Sequence, residues 1–360
     1  MNKEIQTGLI FGGIIIVGIT VISLIFSSVE SDINNTGIIQ NSNLKKAPDL
    51  QGIAFYHNID KEELSSEMKN KVILYDIWTY SCINCIRTLP HIISWDEKYR
   101  NDGLLIIGIH SPEFDFEKDP ENVKKAIEKF GVTYPVVMDN EMKTWKAFEN
   151  RYWPRKYIAD HEGYIRYDHI GEGGYQETEK IIQQLLQERS NDLNLANTFD
   201  SELVTIEEFE HTNFRTPELY FGYKLAQNRN QLGSSEGFQA NKIVNYKSTN
   251  DLELHKFYLT GEWRNNSENM ELISNEGKVR ILYNAKQVNI VAAGESNLEI
   301  LLDDELIKSN KSGDDLSVDS TLQVSESRLY NLIDSDDSET GILEIRIDKP
   351  GFKIFTFTFG

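Results

Sequence analysis

The chain has 360 residues, with 37 Lys and Arg against 57 Asp and Glu, a formal net charge of −20 and a sequence pI near 4.8. Such a surface repels nucleic acid and anionic lipid headgroups, which excludes both as electrostatic partners and otherwise reads as solubility. Only 2 cysteines are present, so no disulfide framework supports the fold. About 310 residues lie beyond the N-terminal region, enough for two domains.

Residues 1–7 include Lys3, and the run from Leu9 to Phe26 is apolar and uncharged. At 1.5 Å per residue it spans roughly 27 Å, just enough for a bilayer core. Lys3 precedes it and Glu30 and Asp32 follow, so the charge rule expects a single-pass anchor over 8–27 with residues 1–7 cytoplasmic and the rest extracytoplasmic, at the cell membrane. A cleaved signal peptide is the rival. The apolar run is long for one and no Ala-x-Ala site follows, although Ser27-Ser28 leaves cleavage open. No cysteine follows the segment, which excludes a lipoprotein. Residues 28–50 are rich in Ser and Asn and read as a flexible linker.

Residues 51–190 alternate between apolar runs and helical patterns. Val72–Trp78 and Leu104–Ile109 read as strands buried on both faces, with a helix between them from Ile86 to Tyr99 that Pro90 should kink. Asp119–Phe130 predicts a helix capped by Asp119, with Pro120 in its first turn. Pro135–Met138 is a short strand. Lys156–Ala159 and Tyr164–Ile170 flank the turn Asp160-His161-Glu162-Gly163 as a hairpin would, and Glu177–Leu186 predicts a closing helix. The expectation is a mixed α/β sheet with helices on both faces.

Within that frame the pentapeptide Ser81-Cys82-Ile83-Asn84-Cys85 holds both cysteines, after a strand and before a helix. In that context the spacing reads as a redox dithiol. Cys82 falls at a helix N-terminus, where unpaired N–H groups and the helix dipole favour a thiolate. Cys82 can attack a substrate disulfide and Cys85 can resolve the mixed disulfide. Asp76, six residues earlier on the incoming strand, is placed to lie buried beneath the pair and take the Cys85 proton. Zinc needs further ligands with suitable spacing, covalent haem needs a histidine where Ile86 stands, and a structural disulfide across two residues would staple almost nothing. The expected cofactor set is therefore empty apart from a redox-active Cys82–Cys85 disulfide, with no metal. Pro154 precedes the hairpin and is a candidate cis-proline in a loop facing the cysteines, where exposed backbone can pair with an extended substrate. An ordinary trans proline starting a strand is the plainer reading. His110 and Glu113 follow the second strand at its C-terminal end, where α/β sheets place functional loops, although capping and loop hydrogen bonds are the more ordinary use of such residues. Trp78 and Trp153 are candidates to wall the dithiol, Trp78 equally a core residue. These four are the expected substrate contacts.

The segment resembles a thioredoxin-fold domain of the TlpA/ResA-like thiol–disulfide oxidoreductases, and most of all the extracytoplasmic part of DipZ-type proteins. The likeness is carried by Trp78-Thr79-Tyr80-Ser81-Cys82-Ile83-Asn84-Cys85, Gly108-Ile109-His110-Ser111-Pro112-Glu113-Phe114, Asp139-Asn140, Tyr152-Trp153-Pro154 and Gly171-Glu172-Gly173, in that order. It covers roughly residues 48–190. By position it implies Cys82 as nucleophile, Cys85 as resolving thiol, Pro154 as cis-proline and Asp76 as the buried acid. DipZ-type proteins carry a multi-helix electron-conducting domain of the CcdA kind before this part. A single helix is expected here instead, so the resemblance implies a separate CcdA-like membrane electron donor. The intervening Ile83-Asn84 differs from thioredoxin's Gly-Pro, so its potential cannot be transferred.

After a connector over 191–210, residues 211–360 change to strand-like alternation. Val279–Tyr283, Val288–Ala292, Leu298–Leu302, Leu343–Ile347 and Phe355–Phe359 read as short strands of a β-sandwich. Thr216–Tyr223, Gly261-Glu262-Trp263 and the terminal Phe-Thr-Phe-Thr-Phe-Gly resemble the DipZ-type C-terminal jelly roll, similar to carbohydrate-binding modules. Trp263 and Tyr220 could stack on a sugar or fill core. The acidic stretches Asp314-Asp315 and Asp334–Asp337 read as solvated loops rather than calcium sites. Together these features predict a membrane-anchored thiol–disulfide oxidoreductase that reduces protein disulfides. A disulfide-donating oxidase and a surface binding module with a secondary dithiol remain as alternatives.

Overall fold

The computed structural model describes residues 44–196, 199–210, 215–226 and 228–360. The expected anchor over 8–27, and the linker up to residue 43, lie outside the described residues. Among the described residues no helix is long and apolar enough to cross a membrane. The chain divides into two compact units. The first comprises the described part of Met1–Trp78 with Thr88–Ser111 and Gly131–Ile206; the second comprises Thr79–Arg87, Pro112–Phe130 and Glu207–Gly360.

The first unit is a six-stranded mixed sheet. Its strands are β1 (Phe55–His57), β2 (Val72–Trp78), β3 (Leu104–His110), β4 (Val136–Met138), β5 (Arg155–Ala159) and β6 (Ile165–Ile170). Their order is β1-β4-β3-β2-β5-β6, with β2, β3 and β4 parallel and the outer strands antiparallel. Every residue of β2 and of β3 is buried, which is why both read as unbroken apolar runs rather than alternating ones. The edge strand β1 and the helix α1 (Lys61–Glu67) were not expected. Asp60 caps α1 by accepting from the Glu63 N–H at 2.8 Å. Helix α2 (Ile83–Tyr99) starts three residues before the expected position and contains Pro90, which is exposed. The β5–β6 hairpin turns as its sequence suggests. The Asp160 carboxylate accepts from the N–H groups of Glu162 and Tyr164, and Gly163 takes φ 87°. Arg166 then pairs with Asp160 and Glu188, a residue of the closing helix. That closing helix is Tyr175–Asp192, longer than its expected span.

In the second unit, helix α3 (Pro120–Phe130) starts as predicted. The Asp119 side chain accepts from the Glu121 N–H at 2.9 Å, and Pro120 supplies a first helical residue that needs no donor. The β-rich region that follows is one hydrogen-bonded set of ten strands. Two strands dominate it, β11 (Gly277–Ala293) and β15 (Arg328–Ile347), of 17 and 20 residues. The separate short strands expected at Val279–Tyr283 and Val288–Ala292 are both part of β11. Register breaks between Ala285 and Gln287, and between Val288 and Asn289, supply the interruption that reads as a loop in sequence. The acidic run Asp334–Asp337 is likewise not a loop between strands. It lies within β15 at the same break, where Gln287 faces Asp334 and Ala285 faces Glu339, so the charges occupy an interrupted stretch of ladder. Asp315 is held by Arg328 at 2.8 Å and accepts from the Asn331 N–H. The core takes Trp263, fully buried with its indole N–H donating to the Thr260 carbonyl, and Tyr220 is also buried. Neither offers a face on which a sugar could stack.

A candidate redox site on the Cys82–Cys85 segment

The second unit contains both cysteines. Backbone closes a turn over Thr79–Cys82, the Cys82 N–H donating to the Thr79 carbonyl at 3.3 Å, and α2 begins at the next residue. Cys82 is half-buried and Cys85 is fully buried. The Cys85 N–H, in the first turn of the helix, donates to Cys82 Sγ at 3.3 Å. The outer cysteine keeps exposed surface while the inner one is kept from solvent.

A carboxylate that sequence reasoning did not single out lies under this turn. Glu117 is fully buried. Its Oε1 accepts from Thr79 Oγ1 and Ser81 Oγ, each at 2.5 Å, and its Oε2 accepts from the N–H groups of Glu113 at 2.6 Å and Phe114 at 2.9 Å. Its two hydroxyl partners are 38 and 36 residues away in the chain, so the local sequence does not place it against the cysteine turn. Glu113, expected as a substrate contact, is turned to other use. The Tyr220 hydroxyl lies 2.8 Å from Glu113 Oε1 and 2.7 Å from Glu218 Oε2. One phenol has one proton to donate, so both contacts are hydrogen bonds only if a carboxyl also holds a proton. Burial, followed by the charges of Glu218 and Glu117, pushes Glu113 well above the usual carboxylate range.

The first unit holds the remaining candidates. Asp76 is fully buried on β2, and among the described residues neither carboxylate oxygen has a hydrogen-bond partner. Burial pushes it up to about 6, and Lys156, its cross-strand neighbour on β5, pulls it back. Gly108 faces Asp76 on β3 and leaves room that a side chain would fill. A Cβ there would lie 3.0 Å from the Trp78 indole nitrogen and 3.2 Å from Tyr134.

Trp78 and His110 have no exposed surface. Their rings meet edge-on at 5.6 Å in the core, and burial, with the nearby His57, pushes His110 down to about 3 and keeps it neutral. The strand ends that place them also bury them. Trp153 is half-buried, and the Trp153–Pro154 peptide is cis. The Trp153 indole donates to the Ser111 carbonyl at 3.0 Å and its ring lies 4.2 Å from Trp145. Ser111 in turn donates its N–H to the Trp78 carbonyl and its hydroxyl to Asp139. Asp139 caps the short helix Lys143–Ala147 through the N–H groups of Lys143, Thr144 and Trp145. Ser111 and Asp139 therefore tie the cis-proline loop to the end of β2. Replacing Asp139 by alanine leaves those donors unpaired, and we expect a loss of about 1–2 kcal/mol in urea unfolding.

Two family models match the chain, and the cysteine segment falls within the first of them. Residues 44–186 match the Redoxin family and residues 216–360 match the thioredoxin like C-terminal domain family. The protein DipZ of Mycobacterium bovis is 32% identical over 327 residues, covering 90% of this chain and 44% of that protein. The chain thus spans less than half the length of that relative. The thiol-disulfide oxidoreductase YkuV of Bacillus subtilis is 29% identical over 143 residues, 39% of this chain and 94% of YkuV. NHL repeat-containing protein 2 of Homo sapiens is 34% identical over 124 residues, 34% of this chain and 17% of that protein.

Proposed function

We propose that this chain is a thioredoxin-like thiol–disulfide oxidoreductase that reduces protein disulfides through Cys82 and Cys85. The observation that carries the reading is the pairing of a half-buried Cys82 at a helix start with a fully buried Cys85 one turn inward. In the reaction the Cys82 thiolate attacks a substrate disulfide. A Cys82–substrate bond forms, the substrate S–S bond breaks, and the departing sulfur takes a proton. Cys85 then gives its proton to Asp76 and attacks the Cys82 sulfur. The second substrate sulfur leaves, and two electrons have passed from the dithiol to the substrate. The raised range of Asp76 suits it to accept and return that proton near neutral pH.

Returning the Cys82–Cys85 disulfide to the dithiol needs two electrons and two protons. We assign their supply to a CcdA-like membrane donor. The apolar run Leu9–Phe26 supports a single-pass anchor with the two domains on the extracytoplasmic side. For the β-rich region a jelly-roll fold is the reading that the alternating strands support.

Equilibration of the full chain in glutathione or dithiothreitol buffers tests the direction. A potential near or below about −270 mV is expected for a reductant. A value near −120 mV would make the protein a disulfide donor instead. If no disulfide forms in any buffer, the redox reading fails as a whole.

A further inference from the structure

Glu117 brings a buried negative charge against the turn that carries the nucleophile. Thr79 and Ser81, whose hydroxyls donate to its Oε1, are the first and third residues of the turn closed by the Cys82 N–H. Two further N–H donors fill Oε2, so each oxygen receives two hydrogen bonds. Four donors on two oxygens suit an ionised carboxylate, since a protonated one would add a fifth donor to the cluster. Among the described residues no Lys, Arg or His forms an ion pair with Glu117. Burial raises the acid above its ordinary range, and the hydrogen bonds from Ser81, Thr79, Phe114 and Glu113 oppose that rise. The other ionisable groups that face it are Glu113 and Tyr80, and its charge pushes both of them up.

We propose that Glu117 is a redox-tuning residue, whose buried carboxylate disfavours the Cys82 thiolate and so holds the dithiol on the reducing side. This rests on the exchange reaction proposed above. Two charges act on Cys82 in opposite senses. The start of α2 presents about half a positive charge, which stabilises a thiolate. Glu117 presents a whole negative charge from within the protein, where screening by water and salt is weak. The balance reaches the potential because a couple becomes more oxidising as its reduced thiolate is stabilised. Removing the carboxylate should therefore push the couple towards oxidising behaviour, with no electron source or sink beyond the redox buffer.

The test compares the full wild-type chain with Glu117→Gln and Glu117→Asp. Two readouts are used: the pH dependence of Cys82 alkylation, and the thiol–disulfide equilibrium with glutathione. In Glu117→Gln we expect half-maximal alkylation at lower pH. The equilibrium should also shift towards the dithiol by about tenfold, or roughly 30 mV for two electrons. Glu117→Asp should keep the wild-type midpoint even if it unfolds more readily, which separates charge from structural support. A Gln variant with lowered stability but unchanged midpoint and equilibrium overturns the proposal, as does a shift in the opposite sense. Should the Gln variant not fold, the wild type still decides. By reciprocity, wherever Cys82 is ionised in the reduced protein the Glu117 carboxyl must titrate at higher pH than in the oxidised protein. Equal titration in the two states, followed by carboxyl NMR at a pH where alkylation shows the Cys82 thiolate, overturns the idea. Failure to form any disulfide would instead remove the exchange reading, and the alkylation profile would still test Glu117.

Discussion

Cys82→Ser abolishes disulfide exchange, whereas Cys85→Ser permits the first attack and leaves the substrate attached to Cys82. The two outcomes differ because the two sulfurs have different surroundings. Cys82 has exposed surface and receives the Cys85 N–H, so it alone is presented to a substrate disulfide. A serine hydroxyl is not ionised at neutral pH and cannot replace the thiolate, so turnover should fall by at least roughly 10³-fold, the scale on which nucleophile deletions act. Cys85 is fully buried and can only meet a sulfur already bonded to Cys82. Its loss should trap mixed disulfides, visible as a mass increase that dithiothreitol removes. If the Cys85→Ser variant traps nothing while Cys82→Ser does, the roles of the two thiols are reversed.

Asp76→Asn should stabilise the protein at neutral pH and slow it as an enzyme. The folded protein holds Asp76 at about 6, against 3.8 for the unconstrained acid. Below about pH 4 the acid is protonated in both states, and its stabilising contribution is fully present. Between about pH 4 and 6 only the unfolded chain ionises, so stability falls as pH rises. Above about pH 6 both states are ionised, and the buried charge costs about 3 kcal/mol, from 1.36 kcal/mol per pKa unit. Lys156 is already included in that figure, because its attraction lowers the acid from a still higher value. The asparagine variant should therefore be more stable by about that amount at pH 8 and nearly equal to wild type at pH 4, as read from urea midpoints. Turnover should drop by roughly 10²-fold, and the limb of the pH–rate profile near 6 should disappear. Equal stability differences at both pH values would show that the Asp76 charge is not what burial makes costly.

Both effects turn on residues that can be picked out from the sequence, and the reason is local. The cysteines are two positions apart, and the strand–turn–helix context around them is written in consecutive residues. The same holds for β2, β3, α3 and the β5–β6 hairpin, whose apolar runs, caps and turn residues act within a few positions of one another. Asp76 was also legible, because an acid inside an unbroken apolar run has to be buried wherever that strand lies. The long strands were harder. Bulges inside β11 and β15 break the alternation without ending the strand, so one ribbon reads as several. The burial of His110 and Trp78 was not legible for a related reason. Position at the end of a parallel strand says which end of the sheet a residue occupies, and only the covering layers say whether it reaches solvent.

The sequence by itself determined the class of chemistry, through two cysteines at a spacing and in a context that other uses do not share. It also determined the α/β-then-β order, because hydrophobic period is a property of consecutive residues. Only the tertiary structure decided the electrostatic setting of that chemistry. Among the described residues Asp76 lacks any hydrogen-bond partner, Glu117 collects four donors beneath the cysteine turn, and Glu113 shares a phenol with Glu218. Desolvation and hydrogen bonding depend on which atoms surround a group in space. Thr79 and Ser81 are 38 and 36 positions from Glu117, and Tyr220 is 107 from Glu113, so no local pattern records those contacts.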